Sequence, residues 1–506
     1  MAALSSPLDA ALDWLSGDPG DDPDAELAAL LRHAGLLEEN RLSPSERRET
    51  LRLLHQRTLD ISERLRPRLL ATALPCPRDL YLQVSTLVDV LLALSGHLKD
   101  LLNDQQRRLW NRQSDLLEIP GMALVLLGDA YLLSILVGNA APFGLWQQAH
   151  AAWLVLGQHE PLKKDSIESL PQPSVANLQY RRLLAMAVSQ TEGLTAREQQ
   201  WLFDYLEMVV GEMTLAPHPL QPARSAWWVD TFKDMAPVAC ALRMPGAQQQ
   251  IIYFSPASLA KHLDAQILWL EEGLLDTGTS RDGGEFDVGS SELPVGLTPS
   301  EVLSLLRRLR TRWSLLPVRV GERSQQHYTV QICAGLKAIW GLEHEHGTTA
   351  FDEWTVYNES PNGYAILRVG GKHRASLEAG MVLALRREQS QPWSVCVVRW
   401  IKTNSTEQVE LGLQVLAQGF TPVLIGFRGT DALTPALLLQ SRNLRPALLT
   451  TAGAYTSNQF LLVRETANLY VVQAKAVGLD LQTSCIELFQ YEIDHYPHSS
   501  GLTVRS

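Results

Sequence analysis

One run of eight residues restricts the fold of this chain more than any other stretch of its sequence. In Gln408-Val-Glu-Leu-Gly-Leu-Gln-Val415, aliphatic residues occupy every second position, and polar residues or glycine occupy the positions between them. Since side chains alternate between the two faces of a strand, this pattern is typical of a strand with one buried face. Extended runs at 353–357, 364–368, 381–386 and 393–401 precede it. The sequence therefore predicts a β-structure in this part of the chain, with Val409, Leu411, Leu413 and Val415 on its inner side.

The segment Asn358-Glu-Ser-Pro-Asn-Gly363 joins the first two of these extended runs. A turn between strands often needs one residue at positive φ, which Gly363 allows without a Cβ penalty and Asn362 tolerates. We therefore expect Gly363 to adopt a positive φ. Asn358 and Ser360 carry short polar side chains that can hydrogen-bond the local backbone or a ligand.

An arginine pair, Arg319 and Arg323, precedes the extended runs. Guanidinium groups donate two parallel hydrogen bonds to phosphates or to the O6/N7 edge of guanine. The net charge of the chain is −11, but residues 307–323 hold six arginines and one acid, Glu322. A basic segment in an acidic protein indicates either a local anion site or a solvated basic helix face. The arginines, the hydroxyl, the amide and the open turn together suit an anionic guanine nucleotide.

The combination of Arg-x-x-x-Arg and Asn-x-Ser-x-x-Gly resembles the PilZ family, many members of which bind cyclic di-GMP through these two motifs. Arg319 and Arg323 match the arginine pair, and Asn358, Ser360 and Gly363 match the turn motif. The resemblance covers about 100 residues and implies a six-stranded antiparallel barrel. The order of helices followed by a late barrel is similar to that of long bacterial PilZ proteins.

A second register of the arginine motif remains open. Residues 324–357 separate Arg323 from the turn motif, whereas Arg323-Ser-Gln-Gln-His327 lies closer to the barrel and has histidine in place of the second arginine. His327 and Asn362 are therefore further candidate ligand contacts.

The first part of the chain has helical periodicity. Ser43-Pro-Ser-Glu46 is a capping box with proline at the first helical position, and Thr195 with Glu198 repeats this signature. No fixed repeat is present, which indicates an irregular α-helical domain. The apolar stretch 119–142 contains Asp129 and has no basic flank, so we expect a buried bundle helix and no membrane span.

These patterns predict an α+β protein with four parts. An α-helical domain spans 1–215, and a mixed connecting region with a linker spans 216–297. A PilZ-like six-stranded antiparallel β-barrel with its preceding arginine-rich helix spans 298–420, and a second small β-module spans 421–506.

Other kinds of chemistry find little support. The five cysteines are scattered and form no Cys-x-x-Cys, which favours reduced thiols over a disulfide framework or a zinc site. Glu343-His-Glu-His346 has no third ligand at a recognisable spacing, so we expect no metal and no cofactor. The negative net charge argues against binding of polymeric nucleic acid. The N-terminus lacks the features of a signal peptide, which predicts a cytoplasmic protein.

The sequence thus favours a non-enzymatic cyclic di-GMP receptor that couples nucleotide binding to a partner protein through its helical region. The alternative is a constitutive interaction scaffold whose barrel has lost the ligand. A third interpretation is an enzyme regulated by the barrel.

Overall fold

The computed structural model describes most of the chain in separate ranges, and every structural statement below refers to them. They are residues 7–18, 20, 22–39, 42–106, 113–159, 174–246, 250–279, 293–315, 323–343, 351–370, 376–427, 433–439, 446–455, 459–465 and 469–493.

The N-terminal part is helical, and its helices begin where the sequence places helix caps. Ser43 and Glu46 form the expected capping box, as do Thr195 and Glu198. Each box satisfies backbone N–H groups that the first helical turn leaves without partners. The helices are α1 (Pro7–Ser16), α2 (Pro23–Glu39), α3 (Pro44–Leu70), α4 (Arg78–Gln106), α5 (Gln113–Leu136), α6 (Leu145–His159), α7 (Val175–Val188) and α8 (Ala196–Val209).

Helix α5 contains the apolar stretch and lies in the middle of the helical core. Two helical segments, 78–103 and 118–136, are long and apolar enough to cross a membrane by length and composition alone, but the second is 89% buried within the fold. Asp129 is buried and forms an ion pair with Arg66 of α3. The burial and the ion pair agree with a core helix, since a buried carboxylate requires a partner.

A small sheet and two helices connect the helical region to the β-structure. The sheet has the order β1-β4-β2-β3, and Trp228 on β2 is buried in it. Its strands are β1 (Thr214–Ala216), β2 (Trp227–Asp230), β3 (Val238–Ala239) and β4 (Ile251–Ser255), followed by α9 (Ala257–Thr279) and α10 (Pro299–Ser314).

Six antiparallel strands then form a closed barrel, as the sequence predicts. Val409, Leu411 and Leu413 are at most 4% exposed and lie in the barrel core, against which Val415 packs. The predicted alternation is therefore confirmed. In the first barrel the closed order is β10-β7-β6-β5-β8-β9. The elements are β5 (Ser324–Ala334), the short helix α11 (Leu336–Gly341), β6 (Asp352–Ser360), β7 (Gly363–Val369), β8 (Val382–Arg386), β9 (Ser394–Ser405) and β10 (Gln408–Gln418).

The C-terminal β-module is a second closed barrel with the same connectivity. In both barrels, strands one to six in chain order close into the ring 1-2-3-6-5-4. This identity was not predicted, because the sequence indicates only short alternating runs there. The strands are β11 (Phe420–Phe427), β12 (Thr434–Leu439), β13 (Ala447–Thr451), β14 (Gln459–Glu465), β15 (Leu469–Gln482) and β16 (Ile486–Ile493).

The two barrels share an apolar interface. The outward side chains of β8 and β9 on the first barrel, such as Val382 and Val397, pack against outward side chains of β12, β13 and β16 on the second. From the second barrel, Leu437, Leu449 and Leu488 contribute to this interface and are at most 9% exposed. Buried apolar area of this kind is the main stabilising term between packed units.

The first barrel also contacts the helical region directly. The Thr403 hydroxyl of β9 donates a 2.6 Å hydrogen bond to the carbonyl oxygen of Val137, which follows α5. Leu74 and Leu377 form an isolated antiparallel bridge. The position of the first barrel is therefore defined by contacts on both sides, to the helices and to the second barrel.

Candidate functional site

The β6–β7 hairpin contains the predicted turn motif, but its backbone differs from the expectation. Ser360 pairs with Gly363, which leaves Pro361 and Asn362 as a two-residue loop. Neither Asn362 nor Gly363 has a positive φ, so that prediction was wrong. Proline holds φ near −65°, which excludes the primed turns that would require positive φ at the first loop position.

Gly363 is required for a different reason, namely a close contact with the neighbouring strand. A Cβ at this position would overlap the carbonyl oxygen of Leu413 on β10. The Ser360 hydroxyl donates to the carbonyl oxygen of Gly363 at 3.2 Å, and the backbone N–H of Val415 donates to the carbonyl oxygen of Asn362 at 3.0 Å. The turn motif is therefore held by its own side chain and by β10.

Strand pairing brings Arg323 to the turn motif despite the intervening sequence. Residues 324–357 include β5, α11 and most of β6. Because β5 pairs with β6 through Ser324–Glu359, the antiparallel register places Arg323 opposite Ser360. Arg323 is exposed there. Arg319 lies outside the described residues.

The turn motif belongs to a row of residues that crosses five neighbouring strands. In register from β5 to β9, the row contains Gln325, Asn358, Ala365, Gly412 and Trp400. Strands lie about 4.8 Å apart, so the row spans about 19 Å. Alternation relative to the core residues places the row on the outer surface of the barrel. We call it the five-strand row.

Trp400 forms one end of this row and covers its neighbour Gly412. The indole of Trp400 occupies the space where a Cβ on Gly412 would lie, so only glycine allows this contact. Trp400 is half-buried, and the Lys402 ammonium lies 5.4 Å from its ring centroid. An aromatic surface and a positive charge therefore flank the small residues Ala365 and Gly412.

Asn358, the second residue of the row, carries an unpaired acceptor. Its Oδ1 atom is buried and has no hydrogen-bond partner among the described residues. A buried polar atom without a partner costs free energy unless a ligand or water supplies the hydrogen bond. An N–H donor from a ligand is a suitable partner for this atom.

Two carboxylates beside the row accept hydrogen bonds from tyrosine hydroxyls. Tyr357 donates to Glu410 at 3.2 Å, and Tyr328 donates to Glu359 at 2.9 Å. Burial raises the pKa of Tyr357 to about 12, with a further contribution from Glu410, whereas Arg323 lowers it. Tyr357 is therefore a neutral donor at physiological pH, and its hydroxyl moderates the negative charge next to Arg323.

His327 lies on β5, the strand that begins directly after Arg323. It is exposed and, with Gln326, forms a β-bulge opposite Tyr357. His327 is two residues from Gln325, which belongs to the five-strand row. The two registers of the arginine motif thus both remain as hypotheses.

Most of the basic segment has a structural role, which the charge pattern alone did not show. On α10, Arg307 pairs with Glu271, Arg308 with Glu198, and Arg310 with Asp264. Arg312 donates to the carbonyl oxygens of Ser189 at 2.8 Å and of Gln190 at 3.2 Å. Arg307, Arg308 and Arg312 are therefore held by protein groups at partly buried positions, whereas the Arg310–Asp264 pair lies on a solvated helix face.

Sequence reasoning missed Gln325, Trp400 and Lys402 as members of the site. Trp400 and Gly412 lie in extended runs that the sequence identifies, but only the strand register shows that they are neighbours. As for metals, the described part of the chain contains no group of three or more His, Cys, Asp or Glu that could hold an ion. His344 and His346 lie outside the described residues.

Comparison with known protein families gives two matches. Residues 9–219 match the N-terminal domain of the cyclic-di-GMP receptor FimW, and residues 341–422 match its middle PilZ domain. Together the matches span more than half of the 506 residues. The second includes Asn358, Ser360, Gly363 and Trp400, and it begins after Arg323. A search of curated proteins found no match.

The close contact between Gly363 and Leu413 can be tested by measuring the free energy of unfolding of a variant. Without a close contact, Gly→Ala at negative φ stabilises a protein by about 0.4–1 kcal/mol. Because a Cβ would overlap the Leu413 carbonyl oxygen, we expect Gly363→Ala to destabilise by about 1–3 kcal/mol in urea-induced unfolding. Asn362→Ala, at an exposed loop position, should leave the unfolding midpoint unchanged. A stabilising effect of Gly363→Ala would contradict this account.

Proposed function

Because the chain belongs to the family of cyclic-di-GMP receptors that resemble FimW and contain a PilZ domain, we propose that it binds cyclic di-GMP on the five-strand row. The observation that carries the proposal is the convergence of Arg323, Asn358 and Ser360 on one outer face of the first barrel. These residues come from separate parts of the sequence, and barrel closure brings them together.

Residues on and beside the row suit different parts of the nucleotide. The guanidinium of Arg323 offers paired donors to a phosphate or to the O6/N7 edge of guanine. Asn358 Oδ1 can accept from a guanine N–H, and Ser360 and Asn362 lie next to it at the turn. Trp400 provides an aromatic face for base stacking, and Lys402 adds positive charge there.

Arg319 remains part of the proposal as the first arginine of the motif, with His327 as the alternative partner of Arg323. The segment that contains Arg319 directly follows α10. Phosphate binding to both arginines would hold this segment against the barrel.

The second barrel differs from the first at the equivalent outer positions, and this difference supports placing the nucleotide site on the first barrel. On the same three strand positions, its outward residues Leu437, Leu449 and Leu488 are apolar and face the first barrel. The first barrel has Asn358, Ala365 and Gly412 there. We therefore assign nucleotide binding to the first barrel alone. Asn358 Oδ1, which has no hydrogen-bond partner among the described residues, also favours a binding receptor over a scaffold that has lost its ligand.

Helix α10 is the element we propose to couple the nucleotide to the helical region. Trp313 Nε1 donates to the Ser189 hydroxyl at 3.0 Å, and Arg307 Nη1 donates to Gln482 of the second barrel at 2.9 Å. Burial lowers the pKa of Arg312 to about 10, so it stays charged at neutral pH. A Cβ on Gly193 would lie 3.0 Å from Arg312 and 2.7 Å from the carbonyl oxygen of Arg399 on β9. Helix α10 thus contacts the helical region and the second barrel. It also lies next to Gly193, which packs against β9.

In this scheme the chain is a cytoplasmic, non-enzymatic receptor. The helical region contacts a partner protein and passes the effect of nucleotide binding to it. The structural units that respond to the nucleotide are the four parts at 1–215, 216–297, 298–420 and 421–506. In this scheme nucleotide binding at Arg323 is passed to α10, which precedes it in the chain.

Substitution of the arginines tests the ligand site. A charge-assisted hydrogen bond contributes roughly 1.5–3 kcal/mol, so Arg323→Ala should weaken cyclic di-GMP binding about tenfold to a hundredfold in calorimetry. Arg323→Lys should not restore affinity, because an ammonium lacks the planar pair of donors. Arg464→Ala, an exposed arginine on the second barrel, is the matched control.

The same titrations distinguish the two registers. Loss of binding in Arg319→Ala with a normal His327→Ala supports the longer register, and the opposite pattern supports the shorter one. Absence of binding by the unaltered chain at high micromolar nucleotide would favour the scaffold alternative.

Substitution of Trp400 tests the proposal that the nucleotide site extends to β9. Stacking on an aromatic side chain is worth about 1–3 kcal/mol per base, so Trp400→Ala should weaken binding about fivefold to a hundredfold. Trp400→Phe should retain part of the affinity because it keeps an aromatic face. Trp269→Ala on α9 is the control. Equal affinities of all three variants and the parent would exclude Trp400 from the site.

Hydrogen exchange tests the coupling through α10. We expect cyclic di-GMP to slow amide exchange at residues 299–314 and 189–193, and Arg323→Ala to abolish the effect. Residues 44–70 of α3 should be unaffected. Tight nucleotide binding without a change in α10 would refute the coupling while leaving the receptor assignment intact.

A further inference from the structure

A β-bulge in β9 places an arginine beside Trp400 on the outside of the first barrel. Trp400 pairs with Gly412, whereas the next residue of β10, Leu413, pairs with Val398, so Arg399 has no opposite residue on β10. Val398 lies in the barrel core, and Arg399 is exposed. A bulge of this kind interrupts the alternation of side chains along a strand. Two consecutive side chains, Arg399 and Trp400, therefore lie outside the core.

Arg399 lies on the side of Trp400 that faces the turn motif. On β10 the chain runs from Gly412, the partner of Trp400, towards the residue that pairs with Gly363 of the turn motif, and the bulge lies between these two levels. Lys402 lies on the opposite side of Trp400 along β9. Trp400 is thus flanked by a cation on each side, and Arg399 is the cation nearer to the turn motif.

The guanidinium of Arg399 has no hydrogen-bond or ion-pair partner within the described ranges. The arginines near it differ in this respect, because Arg308 is paired with Glu198 and Arg312 donates to two backbone carbonyl oxygens. Burial lowers the pKa of Arg312, and the positive charges of Arg308 and Arg399 lower it further. Since like charges repel, an acceptor from outside the chain would stabilise Arg399 where it lies.

The backbone around Arg399 is held by the helical region. A Cβ on Gly193 would lie 2.7 Å from the carbonyl oxygen of Arg399, so the turn at 191–193 packs directly against the bulge. Four residues further along β9, the Thr403 hydroxyl donates to the carbonyl oxygen of Val137 at 2.6 Å. These contacts fix the segment on both sides of Trp400. Arg399 is therefore positioned before a ligand binds, which favours recognition of a specific group.

The acceptor that suits Arg399 is the edge of a base stacked on Trp400. A guanidinium presents two parallel N–H donors, and guanine offers the acceptors O6 and N7 at the matching spacing. An arginine next to the stacking side chain can reach this edge without leaving the outer face of the barrel. Adenine has an N6 amino donor where guanine has O6, so it offers only one of the two acceptors.

We propose that Arg399 selects guanine in the nucleotide site, by donating two hydrogen bonds to the O6/N7 edge of the base that stacks on Trp400. The inference rests on the proposed function and assigns the base specificity of that site. Arg323, which precedes β5 at the other end of the five-strand row, remains available for a phosphate or for the second guanine.

Calorimetry with cyclic di-GMP and cyclic di-AMP tests this assignment, because the two nucleotides differ only in their bases. The parent should prefer cyclic di-GMP. Arg399→Gln should weaken cyclic di-GMP binding about fivefold to a hundredfold. It should narrow the ratio of the two affinities by at least as much, because glutamine pairs with the N6/N7 edge of adenine. Arg464→Gln, the same change at an exposed arginine of the second barrel, should leave both affinities unchanged.

Arg399→Lys separates base recognition from charge. Lysine keeps the positive charge but lacks the planar pair of donors, so this variant should also lose preference for guanine. Because Arg399 is exposed, both variants should unfold at the urea concentration of the parent.

The ratio of the two affinities decides the outcome. A parent without preference, or a ratio that Arg399→Gln leaves unchanged, would overturn the inference, whether or not the variant binds both nucleotides more weakly. If Arg323→Ala still weakened cyclic di-GMP binding in that case, the receptor assignment would stand. Absence of cyclic di-GMP binding by the parent would overturn both.

Discussion

The antiparallel register between β5 and β6 is the constraint on which the candidate site depends. Ser324 pairs with Glu359, and this pairing brings the residue before β5 next to the turn after β6. A shift by one residue would turn every side chain of β5 to the other face and remove Val330 and Ile332 from the core. Core burial therefore maintains the same register that assembles the polar row on the outside. Stability and ligand recognition are linked through this pairing.

The chain uses one strand topology twice and assigns different roles to the same outer face. On strands two, three and six, the second barrel presents leucines that pack against the first barrel. On the same strands the first barrel presents Asn358, Ala365 and Gly412. Since the ring order is identical, side-chain chemistry alone distinguishes a packing face from a polar face. The fold by itself thus does not determine function, which depends on the residues placed on it.

Helix α10 shows how a charge pattern acquires meaning only in three dimensions. Its arginines contact α8, α9 and the carbonyl oxygens of Ser189 and Gln190, and Arg307 reaches the second barrel. Arg308 and Arg312 are partly buried and donate to protein acceptors, so these two contacts fix the position of the helix. The segment that follows α10 leads to Arg323. Under the proposed function, nucleotide binding at Arg323 would reach three parts of the protein through this helix.

The sequence by itself determined the elements and the class of fold. Capping boxes at Ser43 and Thr195 marked helix starts, and alternation at 408–415 marked a barrel strand, because these signals depend on neighbours within a few residues. It also indicated Arg323, Asn358 and Ser360, since their spacing resembles a known motif.

Only the tertiary structure decided the features that depend on residues far apart in the chain. It placed Trp400 over Gly412, and it showed that Gly363 is small because of Leu413 and not because of its φ. It also assigned four arginines to structural partners, and it revealed the repeated topology of the second barrel. The physical reason is common to all of these: strand register and helix packing create contacts that no local pattern encodes.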